Sequence, residues 1–481
     1  MTELTGPTLT DAKGLGGVIA QDGFDYQVWD ALTRLPAWVR SPAFEGFVIE
    51  GLEDVEARFF APHAPAGHIL DRYQAKSGNL SRPELAAVFT SFRTFDTVHP
   101  QVARLQTLVT PQLPPTLTWI ARDPGRVRRA RPFYAPFGTV QAASDDKLRA
   151  DLVAEFGADI GAYVADAVEV ALRPVVDRRG AEVAFGAALH AAFPELDVGA
   201  RALTAAFTAL NDLAAQTRGV MLTRERLLEL LRTGLGVDLI PDKRLRVHIR
   251  SDRNEAAEDA IEIDASAFSG ADGVFPPDAL WASGLLEPLE RTARWARQQG
   301  RQRVCVTGSY RLTTAFAVGW SFRSATGFDL EIATRAGAWS TDTHPPLGTA
   351  ATGWSIMQPD GLILGRLAVS VGVLRDPGPE IQQSLGIRPD QILSFTLGEA
   401  LDDSVSVQAS VQRIKTAVAE AAARLGAEGI DLYYVGPAGL AVALGHRWNG
   451  LPTTQLHEFI PAERRYVRTA VLPAPGGTPQ P

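Results

Sequence analysis

The chain has 481 residues and a formal charge of −8, from 47 Lys+Arg against 55 Asp+Glu. At about 150 residues per domain this length predicts roughly three units. Its 46% apolar and 21% charged residues exclude disorder, collagen and coiled coil as descriptions of the whole. The one cysteine, Cys305, excludes a disulfide framework and a multi-Cys zinc site. Apolar runs such as Leu367–Leu374 fall far short of the ~18 residues that span a bilayer. Met1–Asp11 has no basic start followed by an apolar core. A cytoplasmic protein without a membrane partner is expected.

Phe24, Val28, Leu32 and Leu35 recur at helical spacing across 21–39. Strand-like runs follow at Phe44–Glu50, Val55–Phe60 and Ile69–Ala75, the last two joined by a Pro/Gly loop. Ser81-Arg-Pro-Glu84 opens a helix with a cap, an early proline and an acid three residues on. Thr116–Arg122 reads as a further strand. A small α/β domain over 1–140 is thus predicted. From 141 to 240 Ala and Leu dominate with helical periodicity, which predicts a helical extension or connector. From Leu245 strand–helix alternation returns in two rounds: strands at 245–250, 302–307, 328–334, 362–372, 392–398, 430–435 and 453–460, with helices between them. That rhythm predicts an open, largely parallel sheet in each half of 241–472. Residues 473–481, rich in Pro and Gly, read as a disordered tail.

Two constellations carry chemistry. The first is Glu50-Gly-Leu-Glu53-Asp54 followed by Gln74-Ala-Lys76. Residues two apart on a strand share a face, so Gln74 and Lys76 point together. A carboxylate, an amide oxygen and an ammonium at one spot suit metal-assisted phosphodiester hydrolysis, with oxygen ligands for a hard divalent ion and a cation for developing charge. A surface strand of solvated polar residues is the alternative. Only five lysines occur in the chain (Lys13, Lys76, Lys147, Lys243 and Lys415), which adds weight to Lys76.

With Gln21-Asp-Gly-Phe-Asp-Tyr-Gln27 on the first helix, Glu53-Asp54-Val and Tyr73-Gln-Ala-Lys76 resemble the PD-(D/E)xK nuclease fold. More narrowly, they are similar to the double-stranded DNA endonuclease domain of CD-NTase-associated anti-phage effectors. The resemblance implies Asp54 and Gln74 as ligands of Mg²⁺ or Mn²⁺, Lys76 as the catalytic lysine and Gln27 as a helix-borne polar contributor. Gln74 departs from the usual acid. Arg122, Arg126, Arg128, Arg129 and Arg131 follow. Of these, Arg126, Arg128, Arg129 and Arg131 are the candidates for DNA phosphate contacts, with an ordinary solvated face as the alternative. The same choice holds for the basic run Lys243, Arg244, Arg246, His248, Arg250 and Arg253.

The second constellation, Arg303-Val-Cys-Val-Thr-Gly308-Ser-Tyr-Arg311, reads as strand, glycine turn and helix start, where amide donors suit an anion. With Ala317-Val-Gly-Trp320, Leu367-Ala-Val-Ser370 and Leu432-Tyr-Tyr-Val-Gly436-Pro437, it resembles the SAVED domain, a pair of fused CARF-like, Rossmann-like units that sense cyclic oligonucleotides. The resemblance implies Gly308, Ser309, Tyr310 and Arg311 in one half, and Ser370, Gly436 and Pro437 in the other, as ligand contacts. The implied ligand is a cyclic oligonucleotide, foremost a cyclic trinucleotide from a cognate nucleotidyltransferase. The implied function is a CBASS-type effector that self-associates on ligand binding and cuts double-stranded DNA. A catalytically impaired sensor or scaffold is the rival. Trp281, Trp295, Trp320 and Trp354 read as core anchors, with base stacking open for Trp320 or Trp354; His446 and His457 read as locally hydrogen-bonded, and Cys305 as a buried inert thiol.

Overall fold

The computed structural model describes residues 12–50, 54–100, 103–134, 138–251, 257, 259–270, 273–334, 337–345 and 353–473. It falls into two units, Met1–Pro241 and Asp242–Pro481. All but the first residue of the expected tail lies outside the described residues.

The N-terminal unit runs α1 (Ala12–Arg40), β1 (Phe44–Ile49), β2 (Val55–Phe60), β3 (His68–Ala75), α2 (Arg82–Val98), β4 (Ala103–Thr110), α3 (Asp123–Tyr134), α4 (Gly138–Phe156), α5 (Ala158–Ala167), β5 (Val168–Leu172), α6 (Arg178–Ala192), α7 (Ala200–Gln216), β6 (Leu222–Thr223) and α8 (Arg224–Leu235). Its sheet has the order β5-β4-β3-β2-β1-β6. Strands β1 to β3 form an antiparallel meander, and β3, β4 and β5 run parallel. Helix α1 lays Val28, Leu32, Leu35 and Trp38 on Phe44, Phe47, Val55 and Tyr73, and α6 to α8 close the same core. Helices α2, α4 and α5 bury Phe89, Leu152 and Val164 against Leu108 on the other face. Helix α2 starts as its sequence predicts: the Glu84 carboxylate accepts from Ser81 N–H at 2.8 Å and from the Ser81 hydroxyl at 2.6 Å.

Two expectations change here. Thr116–Arg122 is not a strand. Pro115–Ala121 forms a 3-10 helix, because Pro114 and Pro115 fix φ and offer no N–H to a ladder. The strand beside β3 is β4, and its Gln106, Thr107 and Thr110 are buried polar residues that blur its apolar signature. Nor does 141–240 stand apart as a connector. It supplies both edge strands, β5 and β6, and half of the α1 core.

The C-terminal unit runs β7 (Leu245–Arg250), β8 (Ile261–Asp264), α9 (Asp278–Trp281), α10 (Glu287–Gln298), β9 (Arg303–Gly308), α11 (Leu312–Ser321), β10 (Asp329–Thr334), β11 (Gly337–Ser340), β12 (Trp354–Met357), β13 (Arg366–Val373), α12 (Gly378–Leu385), β14 (Ile392–Leu397), α13 (Ser404–Leu425), β15 (Gly429–Val435), α14 (Ala438–Arg447), β16 (Thr453–Ile460) and β17 (Arg465–Leu472). Two sheets form, β11-β10-β9-β7-β8 and β12-β14-β13-β15-β16-β17. Read from its far end, the second repeats the first: β17, β16, β15, β13 and β14 take the places of β11, β10, β9, β7 and β8. The duplication is plain in topology where the sequences of the halves have drifted apart.

Helices α11 and α14 form the seam between the halves. A Cβ on Gly319 would lie 1.9 Å from the Val442 carbonyl oxygen, and one on Gly445 would lie 2.1 Å from that of Phe316. Each glycine is the eighth residue of its helix and each carbonyl belongs to the fifth. The crossing is therefore two-fold in its chemistry, and only glycine permits so close a backbone approach.

Candidate functional site

In the N-terminal unit the residues around β2 and β3 meet as the strand register dictates. Val55 pairs with Tyr73, and both, with Ala75, pack toward α1. Alternation sends Gln74 and Lys76 to the α2 face, where Leu108, the register partner of Gln74, lies in the α2 core. The Asp54 carboxylate Oδ2 accepts the Ala75 N–H at 2.7 Å, which fixes Asp54 against the end of β3 between Gln74 and Lys76. Lys76 N–H donates to the Val109 oxygen at 2.8 Å and prolongs the ladder by one bond. The Gln74 amide oxygen is buried and accepts no hydrogen bond. An orphaned buried acceptor costs roughly 1–3 kcal/mol unless something binds it. A carboxylate beside such an oxygen fits a hard divalent cation, although one neutral ligand in place of a charged one weakens the site. Among the described residues no group of three or more His, Cys, Asp or Glu side chains could hold a metal ion.

Gln27 lies on α1, the helix of the opposite face. Its amide oxygen too is buried and unpartnered, and no hydrogen bond joins it to Gln74 or Lys76. Glu50 does not supplement the site, since its carboxylate lies 3.4 Å from Arg218; Glu53 is outside the described residues. On the α1 face the structure adds a cluster that the sequence reading passed over. Arg34 donates to Asp30 at 2.7 Å and stacks over Tyr73 at 4.6 Å, and Tyr73 reaches Asp71 at 3.5 Å. Burial pushes the Asp71 carboxyl up to about 6. Its signal was the alternation of Asp71 with Tyr73 on the buried side of β3.

The arginine cluster divides. Arg126 and Arg129 are exposed on α3. Arg122 pairs with Asp123 at 2.6 Å. Arg128 turns inward, donating to the carbonyl oxygens of Pro124, at 3.3 Å, and Val168, so it anchors β5 and is not displayed to a phosphate. The Arg131 side chain is outside the described ones. A cleft of about 430 Å³ between the 3-10 helix, α3 and α4 is lined by Trp119, Arg122, Arg126 and Lys147. Two members of the second basic run are ion-paired. Arg244 pairs with Asp242 at 2.9 Å, and Arg250 with Glu262 and Asp264 at 2.6 and 2.7 Å; Arg253 is outside the described residues.

In the C-terminal unit Gly308 ends β9 with φ +103°, and a Cβ there would stand 2.1 Å from the Ile249 oxygen. Ser309 is exposed and Tyr310 half-buried, with burial pushing the Tyr310 phenol up. Arg311 donates to the Ser269 oxygen at 2.6 Å. The helix start expected to hold an anion already has one of the protein's own. Glu458 of β16, 4% exposed, accepts the Thr313 N–H at 2.7 Å. Thr313 also meets the Thr469 hydroxyl at 2.9 Å. Burial raises the Glu458 carboxyl above its ordinary value.

In the other half Gly436 and Pro437 are half-buried at the turn after β15. The Tyr434 hydroxyl donates to the Pro437 oxygen at 2.8 Å. Ser370 is a correction: it is fully buried in mid-strand, with its hydroxyl 3.0 Å from that of Ser394, so it presents nothing to a ligand. Trp320 and Trp354 are core residues, the latter donating to the Ser410 hydroxyl at 2.9 Å. His446 is buried with Nδ1 2.6 Å from the Phe322 oxygen, and burial lowers its pKa to about 4. Cys305 is half-buried, not buried as expected, and desolvation raises its pKa. No helix among the described residues is long and apolar enough to cross a membrane.

Comparison with known proteins gives a family match over part of the chain and relatives in fold. Residues 286–472 match the model of the SAVED family, the SMODS-associated and fused to various effectors sensor domain. The chain is 22% identical over 480 residues to CD-NTase-associated protein 4 of an Acinetobacter species, covering 97% of this chain and 99% of that protein. It is also 22% identical over 473 residues to CD-NTase-associated protein 4 of Moraxella osloensis. Among solved structures, the Acinetobacter baumannii Cap4 SAVED/CARF-domain containing receptor with the cyclic trinucleotide 2'3'3'-cAAA is similar with a TM-score of 0.76 at 19% identity, over 94% of this chain and 98% of that one. The Moraxella osloensis Cap4 receptor gives 0.69 at 20% identity, over 94% of this chain and all of that one. The protein thus has the fold of the Cap4 receptors and, over 286–472, the SAVED sensor match.

Proposed function

We propose that the protein is a cyclic-oligonucleotide-activated, metal-dependent double-stranded DNA endonuclease, the effector of a bacterial anti-phage system of CBASS type acting in the cytoplasm. The observation that carries the nuclease part is the Asp54 carboxylate tied to Ala75 N–H between the orphaned Gln74 oxygen and Lys76. Asp54 and Gln74 would hold Mg²⁺ or Mn²⁺, which when bound supplies Lewis acidity toward a phosphodiester and its attacking water. Lys76 places an ammonium where charge builds on the scissile phosphate. Exposed Arg126 and Arg129 hold the duplex backbone without reading its sequence.

The sensor part rests on the SAVED match and on the receptor solved with a cyclic trinucleotide. A cyclic trinucleotide, made by a cognate nucleotidyltransferase, is the proposed ligand; it seats by the turns after β9 and β15 and favours self-association by its higher affinity for the assembled state. A second reading is a sensor whose N-terminal unit binds DNA or a partner protein without cutting, and the neutral Gln74 favours it. Plasmid cleavage in Mg²⁺ or EDTA, with and without cyclic trinucleotides, separates the two. Nicking or linearisation only with both Mg²⁺ and ligand supports the endonuclease; binding without cleavage in Mg²⁺ and in Mn²⁺ supports the scaffold.

A further inference from the structure

The C-terminal unit carries a second cleft, of about 550 Å³, that the proposed sensing site does not use. One wall is a stripe of α13 at helical spacing, which includes Gln408, Gln412, Lys415 and Thr416. The facing wall brings Arg447, the last residue of α14, and His344 beyond β11. Gly436 and Pro437 lie at the other end of α14, about 15 Å away along a ten-residue helix.

Two features of this cleft point to a ligand. Lys415 and Arg447 are both half-buried, and among the described residues neither has an ion-pair partner. Lys415 reaches only the Asn449 amide oxygen, at 3.4 Å. Arg447 is held by the Ser324 hydroxyl at 2.8 Å and the Thr341 oxygen at 3.0 Å, both neutral. Burial and the nearby Arg447 charge lower the Lys415 pKa, so the two cations repel across the cleft. Other arginines of this unit are paired with carboxylates, such as Arg366 with Asp431 and Arg375 with Glu380. Glu420 also lines the cleft, but no ion pair joins it to either cation. Two cations without an ion-pair partner lining one cleft match a phosphate, and the volume lies in the range of small-ligand sites.

We propose that this cleft is a second anion site, separate from the cyclic-oligonucleotide site, that takes the phosphate of a small phosphorylated molecule on Lys415 and Arg447. Gln412 and Thr416 supply polar contacts to the rest of the ligand. The inference does not depend on the nuclease or sensing reading.

Isothermal titration of the full chain with inorganic pyrophosphate, and in a second arm with ATP, tests it. Saturable binding of pyrophosphate is expected, with at least a tenfold loss in Lys415→Gln and retention within threefold in Lys415→Arg. Tighter binding of ATP than of pyrophosphate would name a nucleotide as the source of the phosphate. Equal affinity would name the free anion. Thr416→Glu, an exposed change that adds a negative charge beside Lys415, should abolish binding and keeps the test open if Lys415→Gln fails to fold. No saturable heat with either probe at millimolar concentration, or undiminished binding in Lys415→Gln and Thr416→Glu, would overturn the proposal.

Discussion

The two candidate sites treat polarity in opposite ways. At the end of β3 the N-terminal unit leaves the Gln74 amide oxygen buried and unanswered beside Asp54. At the turns expected to touch a ligand the C-terminal unit answers its own donors: Glu458 takes the Thr313 N–H, Ser269 takes Arg311, and Pro437 takes Tyr434. In the proposed reading, the unsatisfied site would gain its missing bond from a small ion. The proposed ligand at the satisfied turns would have to exchange internal bonds for its own, which would couple its binding to rearrangement.

The largest test of that contrast is chemical. Lys76→Ala should lower ligand-stimulated plasmid cleavage at least 100-fold while thermal unfolding and cyclic trinucleotide binding stay unchanged. Asp54→Asn keeps an acceptor for Ala75 N–H but loses the charge. It should cost as much activity and little stability, whereas Asp54→Ala should also lower the melting temperature. Wild-type cleavage in Lys76→Ala and Asp54→Asn would remove the site.

Next come the seam glycines of the C-terminal unit. Gly319→Ala or Gly445→Ala drives a methyl into a backbone oxygen, and each should destabilise that unit by about 1–3 kcal/mol in denaturant unfolding. The N-terminal unit should be unaffected. Equal stability of both variants would mean that the helices separate at no cost.

A smaller effect is expected at the proposed DNA surface. Arg126→Gln with Arg129→Gln should lower the slope of log affinity against log salt by up to about 1.8, on any sequence. Arg128→Gln should leave that slope alone and lower stability instead, since its guanidinium binds the Val168 carbonyl.

The smallest effect compares the buried acids. Burial raises Asp71 to about 6 and raises Glu458 as well. A raised carboxyl binds its proton more tightly when folded, so its stabilising contribution is complete below its unfolded pKa and is lost as pH rises through the folded one. Stability of the N-terminal unit should therefore fall between about pH 4 and pH 6 through Asp71, and Asp71→Asn should flatten that stretch. Glu458→Gln should flatten the corresponding decline in the C-terminal unit, above the ordinary glutamate range. Unchanged pH profiles in both variants would contradict these assignments.

The local grammar of the chain was legible. Alternation placed β1 to β3, the Ser81–Glu84 pair placed α2, and the glycine-ended strand Arg303–Gly308 placed α11 after it. What could not be read was long-range pairing. Nothing in Val168–Leu172 says that it seals the sheet edge beside β4, so an Ala/Leu-rich stretch passed for a connector. The same limit hid Glu458. Its partner Thr313 is 145 positions away, and a lone glutamate in a strand carries no mark of capping another element's helix. The tie of Asp54 to Ala75, next to Gln74 and Lys76 in the chain, follows from two short strands in register; Ser370 was misjudged because strand position does not reveal burial on both faces.

The paired glycines of α11 and α14 have a consequence for recognition. They set a two-fold frame, with position eight of each helix against position five of the other. A three-nucleotide ring has no two-fold axis that exchanges all its members, so if the proposed ligand sat on such a frame, equivalent turns would face unequal parts of the ring. The halves are then free to diverge in what they offer: an internal carboxylate at the start of α11, and at the start of α14 the Trp339 ring packed against Gly439.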